Sequence, residues 1–238
     1  TKPMLKQGGE WKEVDWQTAL EYVANGLQQI KSNHGASTIG ALVSPHSTVE
    51  ELFLAGKLVR GIGSDNIDYR LRNAEFTATQ GVQWLGMPIA ALSNLQSALI
   101  VGSNLRKDHP LFAQRIRQAA KKGCKVFAIN DRVYDWALPV NASVVAAGDW
   151  AQALADVAAA VAEAKGVTAP VAGQVHDEAK AIAAALLAGE QKAVLLGNAA
   201  AHHAQASALL ALASWVAEQT GAAVGYLTEA ANTVGAQW

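Results

Sequence analysis

The stretch from Ala98 to Arg132, ALIVGSNLRKDHPLFAQRIRQAAKKGCKVFAINDR, constrains this chain more than any other. It reads as strand, loop, helix, strand. Ala98–Val101 is the kind of short apolar run that forms a strand buried on both faces, and it ends at Gly102, where a turn with φ > 0 costs nothing. The loop Ser103–Asp108 leads into a helix whose first turn suits Pro110, a residue with no N–H to lose there. Leu111, Ile116 and Ala119-Ala120 mark its apolar side, opposite Arg115, Arg117 and Lys121. Gly123 stops the helix, and Lys125–Ile129 returns as a second apolar strand. A crossover helix between two such strands makes a right-handed parallel βαβ unit in nearly all cases.

The same alternation recurs along the chain. Asp15 is expected to cap a helix over Trp16–Lys31, with Trp16, Ala19, Leu20, Val23, Leu27 and Ile30 on one face directed into a core. Thr38–Val43 is predicted as a strand, and Ser47 with Glu50 as a capping box for a helix over Thr48–Arg60. Gly61-Ile62-Gly63 follows a helix and lacks the third glycine of a dinucleotide fingerprint, so it reads as a turn before a short strand at Ile67–Tyr69. Beyond the central unit, strands are predicted at Val144–Ala146, Lys192–Leu196 and Ala223–Leu227. Helices are predicted at Trp150–Lys165 (capped by Asp149), His176–Leu187 and Gln205–Thr220. Arg70–Leu95, broken by Gly81, Gly86 and Pro88, shows no periodicity. The expected class is α/β, Rossmann-like layers of parallel sheet flanked by helices, with ligand clefts at the carboxyl ends of the strands. Three segments are expected: 1–70, a first strand–helix unit; 71–165, the central βαβ unit; and 166–238, a C-terminal α/β unit packing back on the first.

Composition removes several function classes. The 238 residues carry a net charge of -1 and show no basic stripe interleaved with aromatics, which argues against nucleic acid as a partner. Cys124 is the single cysteine, too few for an internal disulfide or an iron–sulfur cluster, and it reads as a semi-buried thiol. No apolar run approaches the ~18 residues of a membrane span, so no direct membrane insertion is expected. The sequence opens at Thr1 without a Met, and polar Lys2–Val14 with its Gly8-Gly9 turn reads as a hairpin whose partner strand lies upstream. An excised fragment is the expectation.

The candidate chemistry lies at the carboxyl edge of the central unit. Gly102, Ser103 and Asn104 follow one strand; Asp131 and Arg132 follow the other. Backbone N–H groups near a helix start can hold phosphate, and a carboxylate after the second strand can accept from a ribose hydroxyl. On spacing alone a turn Asp and a surface ion pair explain the second set equally well. His202-His203 lacks a carboxylate or Cys cluster at ligand spacing, so no metal site is expected. Asp108, His109 and Ser103 lack a strand–Ser–helix elbow, so no catalytic residue is assigned, and Asp108 reads as a cap.

Gly9-Glu10-Trp11 leading to Val14–Leu20, then Gly61–Asp68, then Val101–Asn104 with His109-Pro110, resemble successive signatures of the molybdopterin oxidoreductase family. Glu229–Ala236, EAANTVGA, is similar to the E-G-A-N-x-x-G-A segment of one branch, the large iron–sulfur subunit of bacterial NADH:quinone oxidoreductase, respiratory complex I. The resemblance implies the fold of the formate dehydrogenase and DMSO reductase type. In cofactor-bearing members it puts Gly102, Ser103, Asn104, Asp131, Arg132 and Asp149 along the guanosine and phosphates of a bis-pterin cofactor. This chain departs from that pattern. The usual D-P-R is Asn130-Asp131-Arg132, and between Arg70 and Ser93 there is no Cys to ligate a metal, only the hydroxyls of Thr77, Thr79 and Ser93. The resemblance therefore implies a structural domain with a vestigial pocket and no cofactor of its own. Iron–sulfur clusters are expected in the rest of the parent subunit. Other peripheral-arm subunits of complex I are the expected partners, on the cytoplasmic side of the bacterial inner membrane. The alternative is a catalytic fragment binding a bis-pterin guanine dinucleotide.

Overall fold

A computed structural model describes residues 2–70, 72–75 and 83–238. The chain divides into two compact units, Thr1–Arg70 and Leu71–Trp238.

The first unit opens with a hairpin complete in itself. Strand β1 (Met4–Gln7) pairs antiparallel with β2 (Glu10–Glu13) around Gly8-Gly9, so the partner strand expected upstream is supplied locally. Helix α1 (Trp16–His34) is capped by Asp15, whose carboxylate accepts from Thr18 N at 2.7 Å. Its apolar face is not core: α1 has no buried residue, and Trp16, Leu20, Val23 and Ile30 are exposed. The expected strand over Thr38–Val43 is a 3₁₀ turn at Ala36–Thr38 followed by the two-residue β3 (Ala41–Leu42). Helix α2 (Val49–Ile62) has its capping box one residue later than predicted. Thr48 takes Glu51 N on its hydroxyl, and the Glu51 carboxylate takes Thr48 N. Gly63 closes α2 in the left-handed conformation, as a turn glycine does, and β4 (Ile67–Asp68) pairs parallel with β3.

The second unit is built on five parallel strands: β5 (Ser97–Val101), β6 (Lys125–Asn130), β7 (Asn141–Val144), β8 (Lys192–Leu196) and β9 (Ala223–Tyr226), in the order β7-β6-β5-β8-β9. Strands from 71–165 and 166–238 therefore share one sheet, with Val101 opposite both Ile129 and Leu196. Between β5 and β6 come the single-turn helix α3 (Leu105–Asp108) and α4 (Pro110–Lys121). Helices α5 (Trp150–Lys165) and α6 (Asp177–Leu187) connect β7 to β8. The short α7 (Asn198–Ala201) and α8 (Ala206–Thr220) connect β8 to β9, and α9 (Thr233–Gln237) ends the chain.

Alternation along the strands sorts side chains into two cores. Leu99, Val101, Phe127, Ile129, Val194 and Leu196 face α5, α6 and α8, whereas Ala98, Ile100, Val126, Ala128, Ala193 and Leu195 face α4 and the 3₁₀ helix Ile89–Asn94. Both faces are covered, which is why these strands read as unbroken apolar runs. On α4, Ile116 and Ala119 are buried as expected, but Leu111 is exposed. Strand β7 begins three residues before the predicted Val144–Ala146, because Ala142 and Ser143 pair with Ala128 and Ile129. Burial holds the Cys124 thiol up at about 11, in keeping with an inert structural cysteine.

Candidate functional site

In a doubly wound sheet the ligand crevice opens where the strand order reverses, outside the carboxyl ends. Here the reversal lies between β5 and β8, and it is flanked by the loops at Gly102–Asn104 and Gly197-Asn198.

Each backbone N–H of the first loop already has an acceptor within the chain. Gly102 N donates to Ile129 O at 2.9 Å, Ser103 N to Asn130 Oδ1 at 2.9 Å, and Asn104 N to Asp108 Oδ2 at 3.1 Å. The amide of Asn130 closes a second bond, donating from Nδ2 to Ser103 O at 3.2 Å. Asn130 is 1% exposed and ends β6, so its side chain clamps the β5 loop to the neighbouring strand. Sequence reasoning singled out Asp131 and missed Asn130; the signal was its place as first letter of the altered D-P-R triplet. An aspartate there could only accept, and Ser103 O would lose its donor.

The second loop closes over the first. Gly197 N donates to Val101 O at 2.8 Å and Ala199 N to Gly102 O at 3.0 Å. Gly102 sits at φ +64°, and a Cβ there would stand 2.6 Å from Ala200 N and 2.7 Å from the Trp150 ring. A Cβ at Gly197 would overlap Ser103 Cβ. The glycines thus serve close packing of protein on protein. Within this seam three polar atoms are buried without a partner among the described residues: Ser103 Oγ, Asn198 Oδ1 and Trp150 Nε1.

Carboxylates occupy further anion positions along the same edge. Glu75 accepts from Ser207 N at 2.8 Å and from Ser207 Oγ in the first turn of α8, where a helix dipole favours negative charge. Glu229 lies between Arg72 and His202, whose Nε2 is 3.0 Å from Glu229 Oε2. His202 and His203 do not act together, since His203 Nε2 bonds Ala147 O at 2.9 Å and its ring stacks on Trp150. Buried His109 places Nε2 2.9 Å from Thr228 O, and burial pushes its pKa down.

Asp131 and Arg132 engage each other. Asp131 Oδ2 accepts from Arg132 Nη2 at 2.7 Å and Nε at 3.0 Å, and Oδ1 accepts from Tyr134 OH at 3.1 Å. The Arg132 guanidinium, then Tyr134, hold the carboxyl below its usual range. Asp149 forms no capping bond to α5, contrary to expectation, because its own backbone is in the preceding 3₁₀ turn. Among the hydroxyls considered as metal ligands, Ser93 Oγ accepts from Arg115 at 3.5 Å, while Thr77 and Thr79 lie outside the described residues. No three His, Cys, Asp or Glu side chains among the described residues converge as a metal site.

Comparison with known proteins adds a family. The model described as Molybdopterin oxidoreductase matches residues 1–237. "Putative formate dehydrogenase SAR2393" of Staphylococcus aureus is 32% identical over 145 residues, covering 58% of this chain and 15% of that protein. "Probable oxidoreductase YjgC" of Bacillus subtilis matches to the same extent, so the chain spans a small part of the length of these relatives. Among solved structures, a chain of the formyltransferase/hydrolase complex from Methylorubrum extorquens, solved with methylofuran, shares the fold. Its TM-score is 0.59 at 20% identity, over 95% of this chain and 61% of that one.

Proposed function

The chain belongs to the molybdopterin oxidoreductase family, and on that premise we propose that it is the scaffold domain of a large iron–sulfur subunit of the complex I kind, keeping the molybdoenzyme architecture without holding a pterin. One observation carries this reading. The N–H groups of Gly102, Ser103 and Asn104, the donors a dinucleotide phosphate would need, are all committed to acceptors within the chain, one of them the Asp108 carboxylate. A phosphate would have to break three internal bonds and lie against a like charge, and a buried donor or acceptor left unmatched costs about 1–3 kcal/mol. The residues of this edge therefore do not fit the group as they stand.

The Glu229–Ala236 segment supports the branch within the family. Asn232 Oδ1 accepts from Gly235 N at 3.2 Å, Thr233 Oγ1 accepts from Ala230 N at 2.9 Å, and Glu229 pairs with Arg72 and His202. Glu229, Asn232 and Gly235 of the motif thus each have a structural role. In this reading electrons pass from flavin toward quinone through iron–sulfur clusters carried outside these 238 residues. The domain packs among other peripheral-arm subunits on the cytoplasmic side of the bacterial inner membrane. No described helix is long and apolar enough to cross a membrane.

A second reading, a catalytic oxidoreductase domain binding a bis-pterin guanine dinucleotide, is favoured by the unpartnered Ser103 Oγ and Asn198 Oδ1 at the seam. Molybdenum, tungsten and iron measured by mass spectrometry on the full-length protein, with fluorescence detection of oxidised pterin, separate the two. Iron without pterin, molybdenum or tungsten is expected. Stoichiometric pterin and metal would overturn the scaffold reading.

A further inference from the structure

A cleft of about 220 Å³ lies on the α5–α6 side of the sheet, near the carboxyl ends of β6 and β7. Its walls are apolar, from Ile129, Val145, Val157 and Ile182. Its polar groups are Ser143, Gln152 and the acids Asp149, Asp156 and Glu178, with His176 the only basic side chain and no Lys or Arg among the lining residues.

Three of these groups are placed without full internal use. Ser143 is 9% exposed, and its hydroxyl makes no hydrogen bond among the described residues. Asp156, also 9% exposed, uses Oδ1 to accept from Gln174 N at 2.7 Å and Gln152 Nε2 at 2.9 Å. Among the described residues its Oδ2 meets only His176 Nε2, at a long 3.5 Å. His176 Nδ1 is itself spent, accepting from Ala179 N as the cap of α6, so His176 offers Asp156 a single N–H. Asp149 carries no cap bond that would occupy it. A buried carboxylate in a cleft lined by further acids and by no Lys or Arg is an unfinished arrangement.

A metal ion does not finish it, because no three acidic or His groups converge closely enough to ligate one among the described residues. The missing group must carry positive charge, spread several N–H donors over separated acceptors, and present an apolar stem to the walls. A guanidinium meets these requirements, with its planar fork of five donors. We propose that this cleft binds a small guanidinium compound on a short alkyl stem, its fork on Asp156 Oδ2 and Ser143 Oγ and its stem against Ile129 and Val157. The cleft is smaller than drug-sized pockets, which limits the ligand to that scale. This proposal is independent of the scaffold reading.

Isothermal titration calorimetry of the 238-residue chain with propylguanidinium chloride tests it. One saturable site with millimolar affinity is expected, weakened by about tenfold or more in Asp156→Asn and in Ser143→Ala. Because Asp156 also anchors Gln174, Glu178→Gln on the rim provides a variant that leaves the fold untouched, with a smaller loss expected. Acetyl-arginine amide distinguishes sources: undiminished affinity identifies a protein arginine as the natural donor of the group, and lost affinity a free guanidine. Either supports the guanidinium chemistry. No saturable heat with propylguanidinium would overturn the proposal, as would equal affinity in all three variants or equal binding of propylammonium. Competition by guanosine monophosphate at this cleft would also overturn it and return the site to a nucleotide.

Discussion

Residues 2–70 and 83–238 are written in the same local grammar, short apolar runs and amphipathic helices punctuated by glycine, yet that grammar builds different things. In the second region strands of four to six residues pair five wide, and α4, α5, α6 and α8 cover both faces. In the first, β3 and β4 are two residues each, and the seam Trp16, Leu20, Val23, Leu27, Ile30 repeats at helical spacing over a helix with nothing buried. The difference shows that periodicity specifies an apolar face and is silent about what covers it. A parallel sheet needs cover on both sides to be stable, and only the second region brings that cover with it.

The largest expected effect breaks the second region at its centre. Val101 is fully buried between helix layers, so Val101→Asp should cost several kcal/mol, comparable with the whole stability of a domain. Loss of near-UV circular dichroism is the expected readout, and soluble, native-like protein would refute the strand assignment. The matching change in the first region, Leu42→Asp in β3, where the side chain is 66% exposed, should stay within about 0.5 kcal/mol in urea melts.

A smaller effect sharpens the contrast at the carboxyl edge. Asn130→Asp removes the donor to Ser103 O while keeping the acceptor for Ser103 N, and should lower stability by about 1–3 kcal/mol. An unchanged melting temperature would mean that the clamp contributes nothing. On α1, Leu20→Glu should change stability by no more than about 0.5 kcal/mol. A loss of about 2 kcal/mol or more would show the seam to be packed after all.

The least effect concerns pH, with opposite signs at Asp68 and at the pair Cys124 and Tyr226. In the first, hydrogen bonds from Arg70 hold Asp68 down from 3.8 to about 2, so its contribution is complete above the unfolded value and is lost as pH falls toward 2. In the second, burial raises Cys124 from 9.0 to about 11 and Tyr226 from 10.0 to about 12. There the unfolded chain ionises first as pH rises, so stability falls from about pH 9 upward. Urea midpoints against pH should show both limbs. Asp68→Asn should shrink only the acid limb and Cys124→Ala only the alkaline one, where Tyr226 still contributes.

The sheet was legible because its strands are buried on both faces, which leaves continuous apolar runs at Ser97–Val101 and Lys192–Leu196 that no other element explains. Elements set by short-range hydrogen bonds slipped by a residue or two: two adjacent hydroxyls, Ser47 and Thr48, each precede a glutamate three residues on, and only Thr48 makes the box. The order of the sheet and the sharing of one sheet by both later segments depend on long-range pairing that local pattern does not encode. At the edge, Gly102, Ser103, Asn104, Asp131 and Arg132 were visible as a set. What sequence reasoning missed was that they are engaged within the chain, Ser103 by Asn130, Asn104 by Asp108 and Asp131 by Arg132 and Tyr134, since a side chain's direction at a strand end follows from register.

The Asn130 clamp also bears on how such a domain changes over time. An amide and a carboxylate differ there by one nitrogen for one oxygen, and only the amide answers both the N–H and the carbonyl of Ser103. A loop that satisfies itself and a loop with groups left over for a guest are thus neighbours in sequence space. The passage between them costs little in shape and much in hydrogen bonding.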